Sequence, residues 1–353
     1  MNFVIVDSDI EGPLVLNDNA FELTVALAKR CGLGAEVGRR FFTAMSRVDD
    51  LWGDFVLLHH IDPGYSSGHT LKTILPFLRA MAAEAEVGDP WLYGFSQGSL
   101  RTVPGTVGLL RYLRNHHYTR LISTSYDLFI RPFCDAVGFP FESVICTVVG
   151  EFEGVPISLG MRKALLSFTR EIAAMPLVEF DTTTGVVVPE SEEHERRICE
   201  IVWDSIYHDP LGNRFLTGVH PVGQSQKRKA LEQHRLAFGL PKSQVMYVGD
   251  SQTDFQCVEY LGDEGLSVMF NGKGKVCDGS SLMIIGRSAE ATELVARVFA
   301  RQGRQGVVRA FTPGQLTHEG LIAAVTPENI TWLKEISAAE RNRFRGVQIG
   351  SLS

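Results

Sequence analysis

Short apolar runs alternate with amphipathic stretches along this chain, and several of the apolar runs finish in acid or hydroxyl. FVIVDS (residues 3–8) is the first run of buried-strand length. NDNAFELTVALAKRCGL follows, with the apolar spacing of a helix that closes near Gly32. From about residue 16 to 101 the pattern is mostly helical and aromatic-rich, broken by HHIDPGYSSGHT, and reads as a separate module rather than sheet. PGTVGLLRYLRNHHYTRLISTSYD then supplies a Pro-Gly turn, an amphipathic helix and the apolar strand RLIST, the form of a repeat returning to a parallel sheet. ESVICTVVGEF is strand-like, and residues 151 to about 215, highly charged, form a second insertion. SQKRKALEQHRLAFGL predicts a helix closed by Gly239 that feeds the strand of QVMYVGDSQTD, and GLSVMF and SLMIIG add two short strands. The alternation predicts an α/β fold whose core is assembled from 1–15, 102–150 and 216–300. Residues 301–353 form a C-terminal extension without a readable motif.

Composition narrows the function. A chain of 353 residues has room for about two domains and a sizeable core. Its net charge of −7 gives no basic field for a phosphate backbone, so nucleic acid is not the expected partner. No apolar run approaches the roughly 18 residues that span a bilayer. Asp7 interrupts the N-terminal apolar run too early for an export signal, so a cytoplasmic location is expected. Six widely spaced cysteines contain no CxxC pair, which argues for reduced thiols rather than zinc or a disulfide framework.

Four strand or helix ends carry the candidate chemistry. Asp9 and Glu11 follow the first strand in VDSDIEGP, and Ser123, with Thr124 and Ser125 behind it, ends LIS. Lys227 opens a helix, and Asp250 and Asp254 lie in GDSQTD after VMYV. Turn chemistry alone favours Asp and Gly at strand ends. Their order, and their common place at the carboxyl ends of strands, is where open α/β sheets keep their sites.

In these segments the chain resembles the haloacid-dehalogenase-like (HAD) superfamily of phosphohydrolases, particularly its phosphoserine-phosphatase-like members. SDIEGPL is similar to the family's D-x-D-G-T-L motif, with Glu11 in place of the usual Asp, as in the enolase-phosphatase-like branch, and Pro13 in place of Thr. The resemblance implies a Rossmann-like parallel sheet, with a helical cap over 16–101 and a second insertion over 151–215. It assigns Asp9 as nucleophile, Glu11 as proton shuttle, and Ser123, Thr124 and Lys227 as phosphate-binding groups. Mg²⁺ is the implied cofactor, held by Asp9, the Glu11 backbone carbonyl, Asp250 and Asp254. A carboxylate attacking a dianionic phosphate monoester needs such cations to lower the local potential. A cap of this size encloses a small phosphorylated metabolite, with Arg47 and Asp50 of the run SRVDD as candidate substrate contacts. The chain also resembles a hydrogenase-associated group of HAD-like proteins, which implies an accessory or binding role as the alternative. Oligomeric state is not readable from the sequence.

Overall fold

The computed structural model describes residues 3–55, 57, 62, 64–149 and 157–347. β1 (Ile5–Ser8) leads into four helices, α1 (Asn19–Arg30), α2 (Ala35–Asp54), α3 (Thr70–Glu84) and α4 (Asp89–Ser99). Asp18 caps α1 by accepting the Phe21 N–H, which satisfies one of the unpaired donors of the first turn. The chain returns through α5 (Thr106–His116), β2 (Tyr118–Tyr126), α6 (Asp127–Val137) and β3 (Val144–Thr147). The second insertion holds α7 (Leu159–Ala174), α8 (Glu192–Cys199), a π-helical turn over Glu200–Ile206 and α9 (Pro210–Thr217). Then come α10 (Gln224–Ala237), β4 (Val245–Gly249), α11 (Phe255–Leu261), β5 (Leu266–Phe270) and β6 (Leu282–Gly286). The chain ends with α12 (Glu290–Ala310), β7 (Gln315–Thr317), β8 (Gly320–Ala324) and α13 (Ile330–Arg345).

The eight strands form one sheet in the order β3-β2-β1-β4-β5-β6-β8-β7. β3 to β6 in that order are parallel, and β8 and β7 add antiparallel at the edge. This is the Rossmann-like parallel sheet expected. β1 is central, pairing Ile5 with Tyr118 of β2 on one side and with Val245 of β4 on the other. Sequence order runs outward through β2 and β3 on one side and through β4, β5 and β6 on the other. The crevice at such a reversal is where parallel sheets leave room for a ligand.

Burial divides the molecule into layers. One face of the sheet packs Val6, Leu121, Val248 and Val268 against Phe129 and Phe133 of α6 and Phe299 of α12. The other packs Ile5, Ile122 and Tyr247 against Leu231 of α10 and Leu261 of α11. A separate helical body has its own core, in which Phe41, Trp52, Tyr65 and Phe77 from the first insertion meet Leu165, Trp203 and Ile206 from the second. Trp52 and Trp203 meet edge to face at 6.2 Å. Burying a side chain of this kind contributes about 1.5–3 kcal/mol relative to exposure, so the two insertions stabilise each other. Residues 301–347 also belong to the packed structure, because Leu333 of α13 is buried with Met269 and Met283 of the sheet.

Candidate active site

Asp9 stands one residue beyond β1, and its N–H donates to the Val248 carbonyl of β4 at 2.8 Å, which extends the sheet pairing. Its carboxylate is buried, accepting from the Ile10 N–H at 2.7 Å and from Lys227 Nζ at 2.6 Å. Lys227 comes from the first turns of α10 and is wholly buried. It also donates to Asp254 Oδ1 at 2.8 Å and to the Thr253 hydroxyl at 3.1 Å. Burial works against the Lys227 ammonium, but Asp254 and Asp9 outweigh it and hold its pKa above the ordinary lysine value. Both Asp254 oxygens are committed: Oδ1 also accepts from the Tyr247 hydroxyl, and Oδ2 from the Asp250 and Ser251 N–H groups. That carboxylate therefore fixes the lysine and the loop after β4.

Asp250 has different partners. Its Oδ2 accepts from Arg341 Nη1 at 2.6 Å and from Arg345 Nη1 at 3.1 Å. The two arginines lie four residues apart on α13, hence on one face of that helix. Arg345 also donates to the Leu16 and Asn17 carbonyls, at 3.0 and 2.6 Å, where the chain enters the helical body. Burial pushes the Asp250 carboxyl up, yet Arg341 and then Arg345 overcome it and hold the pKa below the usual value. Gly12, at φ +98°, passes so close that a Cβ there would sit 2.0 Å from Asp250 Oδ2. A side chain at 12 is thus excluded both by the backbone conformation and by space.

The charge balance remains acidic. Ligand oxygens of Asp9, Asp250 and Asp254 all lie within 4.8 Å of one another. Burial raises Asp9 to about 7; Lys227 opposes the rise, and Asp254 and Asp250 reinforce it. Glu11 accepts from the Asn19 N–H at the start of α1, at 2.9 Å. Burial, then the nearby Asp18, raise its carboxyl to about 8. Asp49 of α2 accepts from the Tyr65 hydroxyl and the Gly68 N–H, and burial again raises it to about 8.

These groups line a cavity of about 90 Å³, walled by Asp9, Glu11, Asp18, Asp49, Asp50, Thr124, Asp250, Arg341 and Arg345. The structure thereby brings together Asp9, Glu11, Thr124, Asp250, Asp254, Lys227 and Asp50 from the residues expected at the site. Ser123 is placed otherwise. It is fully buried, its Oγ accepts the Ser125 N–H at 3.1 Å, and Thr124 presents to the cavity instead. The pairing of β2 with β3 shifts register between Ile122 and Tyr126, so the orientation of these hydroxyls is set by that irregularity rather than by simple alternation. Arg47 lies in an adjoining cavity, its guanidinium 3.9 Å from the Phe180 ring and its Nε donating to the Val178 carbonyl. Asp7, also acidic and also at the end of β1, faces away: it pairs with His234 of α10 at 2.8 Å and accepts the Arg120 N–H.

Sequence reasoning did not find Arg341, Arg345, Asp18 or Lys273. Lys273 follows β5, and its N–H donates to the Asp250 carbonyl at 3.1 Å. Burial and then Arg341 pull its ammonium down to about 7. An i,i+4 arginine pair was visible in the sequence, but nothing local shows which surface that helix face meets.

No protein-family model matches the chain, and neither does any curated protein. Among solved structures, gene product AF1437 from Archaeoglobus fulgidus is similar at a TM-score of 0.78 and 24% identity, over 100% of this chain and 99% of that one. That likeness is one of fold. A phospho-aspartyl intermediate analogue of phosphoserine phosphatase has a TM-score of 0.46 at 12% identity, over 83% of this chain and 99% of that one. A probable phosphoserine phosphatase from Vibrio cholerae has a TM-score of 0.42 at 13% identity, over 84% of this chain and 66% of that one.

Proposed function

We propose that the chain is a Mg²⁺-dependent phosphomonoesterase of the HAD type, acting on a small phosphorylated metabolite through an aspartyl-phosphate on Asp9. One arrangement carries the reading: Asp9, Asp250 and Asp254 converge within 4.8 Å beside a wholly buried Lys227, at the sheet reversal between β1 and β4. The donors are all hard oxygens. Asp9 is raised by burial and by two neighbouring carboxylates that one lysine does not balance, so a small divalent cation fits the set. Asp9, Asp250 and the Glu11 backbone carbonyl would hold the ion, with Asp254 retained as the anchor of Lys227. When bound, Mg²⁺ supplies charge neutralisation for an approaching phosphate dianion.

The chain's own residues account for the remaining work. Asp9 attacks phosphorus as the P–O bond to the leaving group breaks. Glu11, protonated at neutral pH by its raised pKa, gives its proton to the departing oxygen and yields an alcohol. The resulting carboxylate then takes a proton from the water that cleaves the aspartyl-phosphate, which restores Glu11. Thr124 offers a hydroxyl to a phosphoryl oxygen, while Lys227 keeps Asp9 oriented and partly neutralised. The helical body limits water over the cavity.

A second reading, an accessory or binding protein with residual phosphatase apparatus, is favoured by one observation. Asp250 Oδ2 already carries two internal cations, Arg341 and Arg345. Hydrolysis of p-nitrophenyl phosphate with and without Mg²⁺, beside Asp9→Asn, separates the two. Metal-dependent turnover lost in Asp9→Asn supports the phosphatase; no turnover above that variant supports the accessory role.

A further inference from the structure

The cavity beyond β1 is walled by acid, yet it has to receive a phosphate dianion. Asp9, Glu11, Asp18, Asp49, Asp50 and Asp250 all face it. Lys227, the cation expected to meet the phosphate, does not line this wall. Its ammonium is wholly buried, and its three donors are spent on Asp9 Oδ2, Asp254 Oδ1 and the Thr253 hydroxyl, at 2.6, 2.8 and 3.1 Å. Lys273 lines the adjoining cavity instead, and its charge answers Asp50, Asp250 and Asp18. Among the described residues, the cationic side chains on the wall are Arg341 and Arg345 of α13.

The two arginines are held differently. Arg345 donates from Nε to the Leu16 carbonyl, from Nη2 to the Asn17 carbonyl and from Nη1 to Asp250 Oδ2, so each of its nitrogens is anchored in the protein. Arg341 meets Asp250 Oδ2 at 2.6 Å, the Asn271 carbonyl at 3.2 Å and the Asp250 carbonyl at 3.4 Å, all through Nη1. Its helix is fixed close by: one turn back, Ser337 donates to the Gly272 carbonyl at 2.7 Å, and one turn further Leu333 is buried against the sheet. The guanidinium is a planar fork whose geometry matches phosphoryl oxygens. Asp250 and, at longer range, Asp18 now offset its charge. Once Asp250 shares its charge with a divalent cation, that offset weakens and the guanidinium attracts a phosphoryl oxygen as well.

We propose that Arg341 is a phosphate-binding residue of this site, delivered by the C-terminal helix, while Lys227 positions Asp9 without touching the substrate. This rests on the phosphatase reading for the identity of the anion. The phosphoryl group would sit between Asp9 and Arg341, with the Thr124 hydroxyl on the same wall.

The test uses the full chain and two calorimetric titrations that need no turnover: inorganic phosphate at fixed Mg²⁺, and Mn²⁺ without phosphate. Arg341→Met should weaken phosphate about 10- to 100-fold, the scale of a charge-assisted hydrogen bond. Mn²⁺ should bind that variant as tightly as the wild type or more tightly, because Asp250 has lost a competing cation. Arg341→Lys should recover part of the phosphate affinity. Unchanged phosphate affinity in Arg341→Met, or loss of phosphate and Mn²⁺ together, overturns the assignment, the second because it marks a merely structural arginine. Should Arg341→Met not fold, a crystal of the wild type with tungstate and Mg²⁺ decides: an oxyanion oxygen within hydrogen-bond distance of Arg341 upholds the proposal, and one held by Lys227 instead overturns it. Hydrolysis of p-nitrophenyl phosphate, assayed in parallel, keeps the two readings apart. Arg341-dependent phosphate binding without hydrolysis upholds this site and removes the phosphatase reading, whereas Mg²⁺-dependent hydrolysis with phosphate binding indifferent to Arg341 does the reverse.

Discussion

Two regions meet the same electrostatic problem, a buried carboxylate at the sheet's carboxyl edge, with different cations. On the β1 side a single lysine bridges Asp9 and Asp254, and its charge is shared by two acids. On the β4 side two arginines from the last helix converge on one oxygen of Asp250. The outcomes differ accordingly: Asp9 is raised to about 7 by burial that half a lysine does not offset, while Asp250 is held below its ordinary value. One carboxylate is left poised between protonation states and the other is kept ionised. Arg345 also grips Leu16 and Asn17, so the second arrangement ties the entrance of the helical body to the site.

Removing Lys227 should have the largest effect. Lys227→Met leaves two buried acids facing each other and should cost about 3–5 kcal/mol of stability by denaturant titration. Aryl phosphate turnover should fall at least about 10²-fold. A stable, active variant would break the contrast. Glu11 forms no ion pair with Lys227, Arg341 or Arg345 and feels only the longer-range charge of Arg345, so Glu11→Gln should slow turnover about 10²- to 10⁴-fold with a smaller change in stability than Lys227→Met, which a paired assay and melt would read. Arg341→Met should cost about 1–3 kcal/mol, because Arg345 still serves Asp250. The double variant with Arg345→Met should lose more than the sum of the two singles, since Asp250 is then buried without a partner. Additive losses would show that the arginines act on Asp250 independently.

The pH dependence of stability sharpens the same contrast. Folded Asp9 and Glu11, raised to about 7 and 8, bind protons more tightly than their unfolded counterparts near 4. The folded state therefore holds more protons between about pH 4 and 8, and their contribution to stability falls as pH rises through that window. Asp250 has the opposite sign: its contribution is present above its unfolded pKa and is lost as pH falls through its lowered folded value. Metal-free Tm should decline by a few degrees from pH 5 to pH 8, and Mg²⁺ should recover more of it at pH 8, where its ligands are deprotonated. A flat metal-free profile would contradict the raised values. The smallest effect belongs to Arg47→Ala. Its guanidinium is already held by Phe180 and Val178, so KM for an acidic ester should rise less than about 10-fold, with kcat for p-nitrophenyl phosphate unchanged.

The β1 side was legible in the sequence and the β4 side only in part. Asp9 and Glu11 follow an apolar run directly, and Lys227 and Asp250 are separated by one helix, one turn and one strand, so local pattern suffices to place them at one edge. Thr124 rather than Ser123 reaches the cavity where the β2–β3 register shifts past Ile122, and a run of three hydroxyl residues does not reveal which one faces in. Arg341 and Arg345 escaped because their role depends on where α13 packs. That position is set by Leu333 against Met269 and Met283, a contact between distant segments. The two insertions likewise read as separate modules, whereas Trp52 and Trp203 join them in one core. His59 and His60, in the segment that breaks the helical pattern, lie outside the described residues.

The central claim, that Asp9 becomes phosphorylated, is tested most directly by rapid borohydride quenching during turnover of an aryl phosphate with Mg²⁺. Borohydride reduces an acyl phosphate to the alcohol, so an aspartyl-phosphate is read as homoserine in the peptide mass spectrum. The account predicts homoserine at position 9, dependent on both substrate and metal and enriched in Glu11→Gln relative to steady-state turnover. Homoserine at position 7 instead, or metal-dependent hydrolysis with none at position 9, would contradict it.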